Sequence, residues 1–191
     1  MPYHQTSEMR LYSSSRQRLY LNASERQRFE HAARQEEPRI CTLCLCLLYT
    51  GCRISEAINL TVDDIQFDEA MVLIDSLKKR DKTHIRQVPV PEIFAQQVQD
   101  WLVSKPHHLK LWPVDRATAW RWVKGVMREA DIHGKQATAK GLRHSFGINA
   151  VMNYIPLNVV QKWMGHADMR TTAIYAQVHG PEERQLAERM W

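Results

Sequence analysis

The sequence lacks the long apolar segments that membrane proteins need. No apolar run approaches the roughly 20 residues required to cross a bilayer as a helix. The first residues, Met-Pro-Tyr-His-Gln-Thr-Ser, also lack the apolar core of a secretion signal. These absences predict a cytoplasmic protein with no membrane partner.

Motifs for metal or nucleotide binding are also missing. The chain contains no H-E-x-x-H pair, no carboxylate cluster and no Walker-type glycine loop. A C-x-x-C-x-C run at Cys41, Cys44 and Cys46 lies in an apolar segment without a second ligand cluster. Buried reduced cysteine packs like a small apolar side chain, so we expect core packing rather than zinc or disulfides. We predict neither a metal nor a cofactor.

Charge of one sign is only mildly in excess. The chain has 26 basic and 21 acidic residues, a formal net charge of +5 and an isoelectric point near 9.1. This balance suits a polyanionic partner, and equally an ordinary solvated surface. The length of 191 residues suits one domain, with or without a short arm.

Hydrophobic patterning predicts a mainly α-helical domain with a small antiparallel β-sheet, an α+β fold. Apolar runs at 71–75 and 85–90 flank a charged stretch and predict a hairpin. Residues 1–22 predict a flexible N-terminal arm, 23–180 the main domain and 181–191 a tail helix. Further helices are predicted to start near Ser24, Ile40, Ile54, Pro91, Asp115, Gly141 and Leu157, and a short one to hold Tyr175.

Four short motifs contain the residue types that phosphodiester chemistry needs. T-G-C-R-I-S-E supplies Arg53, K-G-L-R-H supplies Arg143, M-G-H supplies His166, and T-T-A-I-Y supplies Tyr175. Guanidinium groups bind phosphate oxygens bidentately and stay charged at any working pH. A phenol is a nucleophile that needs help, because its pKa is about 10. We therefore predict that the arginines hold a phosphodiester while Tyr175 attacks it.

These motifs, in this order and at these separations, resemble the tyrosine site-specific recombinases, also called phage-type integrases. The resemblance runs from about residue 21 to the 180s. It implies the catalytic-domain fold of DNA breaking-rejoining enzymes and a recombinase that cleaves and rejoins DNA without a metal. It also implies a 3′-phosphotyrosyl intermediate at Tyr175, with Arg53, Arg143 and His166 stabilising the phosphate.

The resemblance places the general acid at a lysine in the hairpin. Lys78 fits best, and Lys79 and Lys82 stay open. Lys140 departs from the family pattern, because it stands where the first histidine of an H-x-x-R-H motif is usual. A lysine still donates to a phosphate oxygen, but it is a poor base near neutral pH.

Supporting residues follow from the same resemblance. Glu56 is expected to orient Arg53, and His144 to support the site from behind the catalytic groups. The charged hairpin is expected to contact the DNA backbone with salt-sensitive affinity. The predicted DNA contacts are Lys79, Arg80, Lys82 and Arg86.

Partners and assembly are likewise implied. We expect double-stranded DNA recombination sites, a homo-tetramer on synapsed DNA, monomers in free solution, and a location in the bacterial cytosol or nucleoid. The tail helix is expected to dock on a neighbouring protomer through Leu186 and Trp191. Relatives carry a DNA-binding domain ahead of the catalytic one, whereas this sequence begins near the catalytic domain, as a naturally short protein or an isolated domain does. Weak, strongly salt-dependent DNA binding is the expected result.

Two other functions fit the same residues. One is a catalytically silent DNA-binding regulator, which Lys140 and the lack of a preceding DNA-binding domain in this sequence favour. The other is a type IB topoisomerase-like enzyme that relaxes DNA as a monomer. A covalent adduct with nicked DNA distinguishes the recombinase from the regulator, and relaxation without paired sites indicates the topoisomerase.

Overall fold

The computed structural model describes residues 10–75, 85–103, 110–178 and 181–190. Within these ranges the chain is mainly helical with one small antiparallel sheet, which confirms the predicted fold class. The helices are α1 (Ala23–Arg34), α2 (Pro38–Thr50), α3 (Ile54–Ala57), α4 (Glu92–Val103), α5 (Arg116–Glu129), α6 (Ala139–Met152), α7 (Leu157–Met164), α8 (Met169–Ala173) and α9 (Pro181–Ala187). The strands are β1 (Ile65–Gln66), β2 (Met71–Asp75) and β3 (Ile85–Pro89). None of these helices is both long and apolar enough to cross a membrane.

Helix α2 is the centre of the main hydrophobic core. It is apolar around most of its circumference, so nine of its 13 residues are buried. Helices α1, α4, α5 and α6 pack around it, and Phe29, Phe94 and Val123 belong to the same core. Gly51 ends the helix in the left-handed region (φ 59°), which glycine adopts without strain. The cysteines of α2 lie in this core as free thiols, as the sequence predicts.

The sheet is a three-stranded antiparallel meander in the order β1-β2-β3. Strands β2 and β3 pair along their whole length, which confirms the predicted hairpin. Strand β1 was not predicted, because its two residues are too few to show an alternating pattern. Val72 and Val88 are buried on one face of the sheet and join the main core. The hairpin connection, residues 76–84, lies outside the described residues.

A second, smaller apolar cluster joins the N-terminal segment to α6 and α7. Leu11 and Tyr20 pack there with Ile148, Val160 and Tyr175. Residues 10–22 therefore lie against the domain, which corrects the predicted flexible arm for this part of the chain. Two apolar side chains among polar neighbours give little periodic signal, yet both bury their surface in this cluster.

The tail helix α9 lies on its own chain. Glu182 accepts a hydrogen bond from the Tyr20 hydroxyl (3.2 Å), and Leu186 packs on the second cluster. Arg189 donates to the last carbonyl of α6 (3.0 Å). Docking of the tail on a neighbouring protomer stays a prediction, and Trp191 lies outside the described residues.

Candidate active site

Arg53 stands at the start of α3, directly after the turn that ends α2. Its Nη1 donates to Glu56 Oε1 (2.7 Å), and its backbone N–H donates to Glu56 Oε2 (2.8 Å). The Glu56 side chain is fully buried, whereas that of Arg53 keeps 30% of its surface exposed. Glu56 therefore holds Arg53 from the protein side and leaves its guanidinium accessible. The supporting role of Glu56 in catalysis stays a prediction.

Arg86 of β3 is buried, with 2% of its surface exposed. Its Nη2 donates to Glu56 Oε2 (2.7 Å) and its Nε donates to the Trp163 carbonyl oxygen (2.7 Å). A side chain in this place does not reach a DNA backbone, which corrects the prediction that Arg86 contacts DNA. Arg86 instead joins the sheet to α3 and to the end of α7. Burial opposes ionisation of Glu56, but bonds from Arg86 and Arg53 hold the pKa of Glu56 below its ordinary value.

Two backbone carbonyls hold the Arg143 guanidinium of α6. Nη1 donates to the Gly51 oxygen and Nη2 to the Met164 oxygen, both at 2.7 Å. Burial, followed by the positive charge of Arg53, lowers the pKa of Arg143 to about 10, so the group stays charged at neutral pH. Carbonyl oxygens satisfy the guanidinium hydrogen bonds without neutralising its charge. The site therefore keeps a net positive field.

His166 follows Gly165, whose left-handed conformation (φ 63°) ends α7. Its Nδ1 lies 2.9 Å from Thr172 Oγ1, and its buried Nε2 has no hydrogen-bond partner among the described residues. Burial, with the charges of Arg143 and Arg53, lowers the pKa of His166 to about 3. The ring is therefore neutral at pH 7. In the tautomer with the proton on Nε2, it is able to donate to a phosphate oxygen.

The Tyr175 ring is fully buried against α6, in the short 3₁₀ turn that follows α8. It occupies the space over Gly147, where an added Cβ atom would lie 2.6 Å from the ring. On another side it stacks on His166, with centroids 6.2 Å apart and planes 17° from parallel. The glycine and the histidine together fix where the phenol lies.

The Tyr175 hydroxyl lies 3.3 Å from His144 Nδ1. Burial raises the pKa of Tyr175, and the positive charges of Arg143 and Arg53 oppose this rise. The phenol is therefore protonated in this state and needs an acceptor for its proton before it attacks. His144 is itself completely buried on α6.

Of the lysines predicted to belong to the site, Lys140 lies within the described residues and the hairpin lysines do not. Lys140 lies exposed in the first turn of α6, one turn before His144. Its charge reaches the site, because burial and then Lys140 and Arg143 lower the pKa of His144 to about 4. Four predicted residues lie outside the described ranges, namely Lys78, Lys79, Arg80 and Lys82.

The structure thus brings residues from four separate segments to one place. The charges of Arg53 and Arg143 act on both His166 and Tyr175, so these groups share one electrostatic environment. Positive charge beside a nucleophile suits a single phosphodiester held for in-line attack.

Sequence reasoning missed two residues of this site. Gly147 lies inside helix α6, and a glycine inside a helical pattern often marks a place where another group packs closely against the backbone. This signal could have predicted the contact with the Tyr175 ring. The Thr172 hydroxyl, which meets His166, carries no such signal.

Known proteins resemble this chain in sequence and in fold. The model of the phage integrase family matches residues 19–181. The tyrosine recombinase XerA of Pyrococcus furiosus is 30% identical over 162 residues, which are 77% of this chain and 53% of the relative. A crystal structure of XerA recombinase gives a TM-score of 0.78 at 26% identity and covers 90% of this chain and 64% of that chain. The XerH site-specific recombinase bound to palindromic difH substrate gives 0.76 at 21% identity over 96% and 56% of the two chains.

The similarity covers the whole site and only part of the relatives. The chain spans about half the length of the curated relatives it matches. Arg53, Arg143, His166 and Tyr175 all lie within the residues that match the family model. The similarity to the XerA structure confirms the predicted catalytic-domain fold. From its motifs, its fold and this match, the chain belongs to the phage integrase family of tyrosine recombinases.

Proposed function

We propose that this chain is the catalytic domain of a site-specific DNA recombinase. The observation that carries the proposal is that His166 stacks on the Tyr175 ring while the charges of Arg143 and Arg53 act on the phenol. The partner is double-stranded DNA, and the solved structures similar to this chain include a Tn1549 transposon integrase in complex with a circular intermediate DNA. Such a protein works in the bacterial cytosol or nucleoid, where this substrate is.

The reaction begins when a DNA phosphate enters between the two arginines. Arg53, whose guanidinium is partly exposed, and Arg143 bind non-bridging oxygens, and His166 Nε2 donates to one of them. Tyr175 Oη attacks phosphorus, and the 5′-oxygen leaves with a proton from a hairpin lysine, for which Lys78 is our candidate. The DNA is left joined to Tyr175 through its 3′-phosphate.

The covalent intermediate keeps the energy of the broken ester. A 5′-hydroxyl from the same or another duplex attacks the phosphotyrosyl bond and restores the DNA without ATP. We propose that exchange between two sites takes place in a homo-tetramer. In the structure, Leu186 of α9 packs on the second apolar cluster of the same chain. In the tetramer, α9 would detach from this cluster and dock on a neighbouring protomer. Deletion of residues after 180 tests this step, and unchanged recombination counts against it.

The test is capture of the covalent intermediate from a DNA pool. Nicked duplexes with randomised arms are incubated with the protein, so that a short 5′-hydroxyl fragment diffuses away after cleavage and the adduct accumulates. Adducts that survive denaturation are recovered and their DNA is sequenced, which also identifies the preferred site. We expect the wild-type chain to form an adduct, and Tyr175→Phe to form none.

The control is Tyr154→Phe, which changes an exposed tyrosine away from the site and should leave adduct formation intact. An adduct with Tyr175→Phe removes Tyr175 from its role. DNA binding without any wild-type adduct favours the silent regulator. Relaxation of supercoiled plasmid that lacks paired sites favours the topoisomerase-like enzyme.

A further inference from the structure

The contact between His144 and Tyr175 is unlike the other polar contacts of the site. His144 Nδ1 lies 3.3 Å from Tyr175 Oη, and both side chains are completely buried. The distance is long for a hydrogen bond, as catalytic contacts often are before substrate binds. His144 Nε2 has no hydrogen-bond partner among the described residues. The imidazole is therefore placed against the reacting atom and not tied into a structural network.

Other groups near the phenol are poorly suited to take its proton. His166 Nδ1 is already bonded to Thr172 Oγ1, and the face of its ring stacks on the tyrosine. The arginines have no lone pair to offer. Lys140 stands where the resemblance implies a histidine, and an ammonium donates protons without accepting them. Among the residues that the structure describes, this leaves His144 as the neutral nitrogen base in contact with Oη.

We propose that His144 is the proton acceptor for Tyr175. As Oη bonds to phosphorus, its proton passes to His144 Nδ1, and the P–O5′ bond breaks. The 5′-oxygen takes its proton from a separate donor. On rejoining, the imidazolium returns its proton to Tyr175 as the O–P bond breaks. This role rests on the proposed function.

Charges around His144 couple this proton transfer to DNA binding. The groups that act on it are Lys140 and Arg143 of its own helix, with Tyr175 and His166 packed from the C-terminal segment. Burial and the two cations keep the imidazole neutral at pH 7, with a lone pair available, and also make it a weak base. A bound phosphate offsets these cations, raises the pKa of His144 and strengthens the base when a substrate is present.

The experiment separates proton transfer from positioning by changing the acidity of the nucleophile. His144→Asn keeps a polar group near the Nδ1 position but cannot accept the proton. Trifluorotyrosine, introduced at position 175 by nonsense suppression, is a far more acidic phenol that needs no base. The four combinations are compared by the single-turnover rate of adduct formation on saturating nicked duplex recovered from the pool.

We expect His144→Asn to slow adduct formation by about 100-fold or more with tyrosine, the usual contribution of a general base. With trifluorotyrosine the loss should shrink to less than about tenfold, because the two changes act on the same proton. Equal losses with the two nucleophiles overturn the proposal and make His144 a positioning residue. No loss with tyrosine also overturns it. Absence of a wild-type adduct instead defeats the proposed function.

Folding and binding are controlled separately. The loss caused by His144→Asn with tyrosine is compared with the loss it causes with trifluorotyrosine, so a smaller folded fraction of the His144→Asn chain cancels between the two losses. His133→Asn, at an exposed histidine paired with Asp131, is the matched control and should leave the rate unchanged. DNA affinity of each variant, measured by titration, confirms that the rates refer to saturated protein.

Discussion

The two sides of the site differ in how completely their polar groups are paired. The arginine side consists of Arg53, Glu56, Arg86 and Arg143, and the guanidinium groups there bond to a carboxylate or to backbone carbonyls. The tyrosine side consists of His144, His166 and Tyr175. Among the described residues, both imidazole Nε2 atoms on that side lack a partner.

This difference indicates which side of the site has its hydrogen bonds formed before DNA binds. Buried charges are costly unless bonded, so the arginine side is assembled by the fold itself. Arg53 and Arg86 share the Glu56 carboxylate, whereas Arg143 bonds to backbone carbonyls, which leaves a positive site that an anion completes. The imidazole Nε2 atoms on the tyrosine side have no hydrogen-bond partner among the described residues, and a phosphate oxygen is able to become one. The arginine side should thus control both stability and catalysis, and the tyrosine side mainly catalysis.

The largest expected effect is on cleavage, from Arg143→Ala. The change removes a charge-stabilising donor from the phosphate and frees the Gly51 and Met164 carbonyls. We expect adduct formation to fall by about a thousandfold, as for loss of an oxyanion donor. Arg128→Ala, at an exposed arginine of α5, serves as control and should be unchanged. A loss below tenfold for Arg143→Ala would show that the arginine side is not catalytic.

The next effect is on stability, from Arg86→Ala. Removing one partner leaves Glu56 buried with only Arg53, so the free energy of unfolding should fall by about 3 kcal/mol or more. Arg184→Ala, which breaks the exposed Arg184–Glu188 pair of the tail, should cost less than about 0.5 kcal/mol. Urea unfolding measures both. Weakened DNA binding with unchanged stability would restore the DNA-contact interpretation of Arg86.

The pH dependence of stability sharpens the view of the tyrosine side. The pKa of His144 is about 4 in the folded chain and about 6.5 ordinarily. Between these values the unfolded chain binds a proton that the folded chain does not, so stability falls as the pH falls through this window. The loss of stability that His144 causes is absent above pH 6.5 and reaches roughly 3 kcal/mol below pH 4. His144→Asn should flatten the pH profile of urea unfolding, and identical profiles would contradict the buried neutral imidazole.

The smallest effects come from a pair of glycines. Gly147→Ala places a methyl group 2.6 Å from the Tyr175 ring, so we expect a stability loss of about 1–3 kcal/mol and slower cleavage. Gly125→Ala in α5 meets no atom within 4 Å and should stabilise the chain by about 0.5–1 kcal/mol. Thermal unfolding and adduct rates check the pair. Equal behaviour of both variants would mean that the ring is able to move aside.

Much of the fold follows from local pattern. The apolar run of α2, a helix starting near Asp115 and the pairing of β2 with β3 were predicted, because period and β-branched content are local properties. Helix starts differ by a residue or two, as at α1, which was predicted to start near Ser24 and starts at Ala23, with Asn22 as its N-cap. The packing of residues 10–22 was not predicted, since it depends on partners over a hundred positions away.

The site was predicted only as a set of residues. Short motifs identified Arg53, Arg143, His166 and Tyr175, but which groups bond to one another is decided by tertiary packing. Arg86 shows the limit, because its charge suggested DNA. A signal was present, since Arg86 shares the inward face of β3 with Val88 in the two-residue alternation.

The peptide at Gly51 has a consequence for how the two catalytic cations respond to change. It ends α2, leads within two residues to Arg53, and gives its carbonyl to Arg143. The distance between the two guanidinium groups therefore depends on the position of the main chain at Gly51. A displacement of the last turn of α2 should move both guanidinium groups together. Substitutions of buried residues in α2 are therefore expected to alter catalysis, although these residues do not contact DNA.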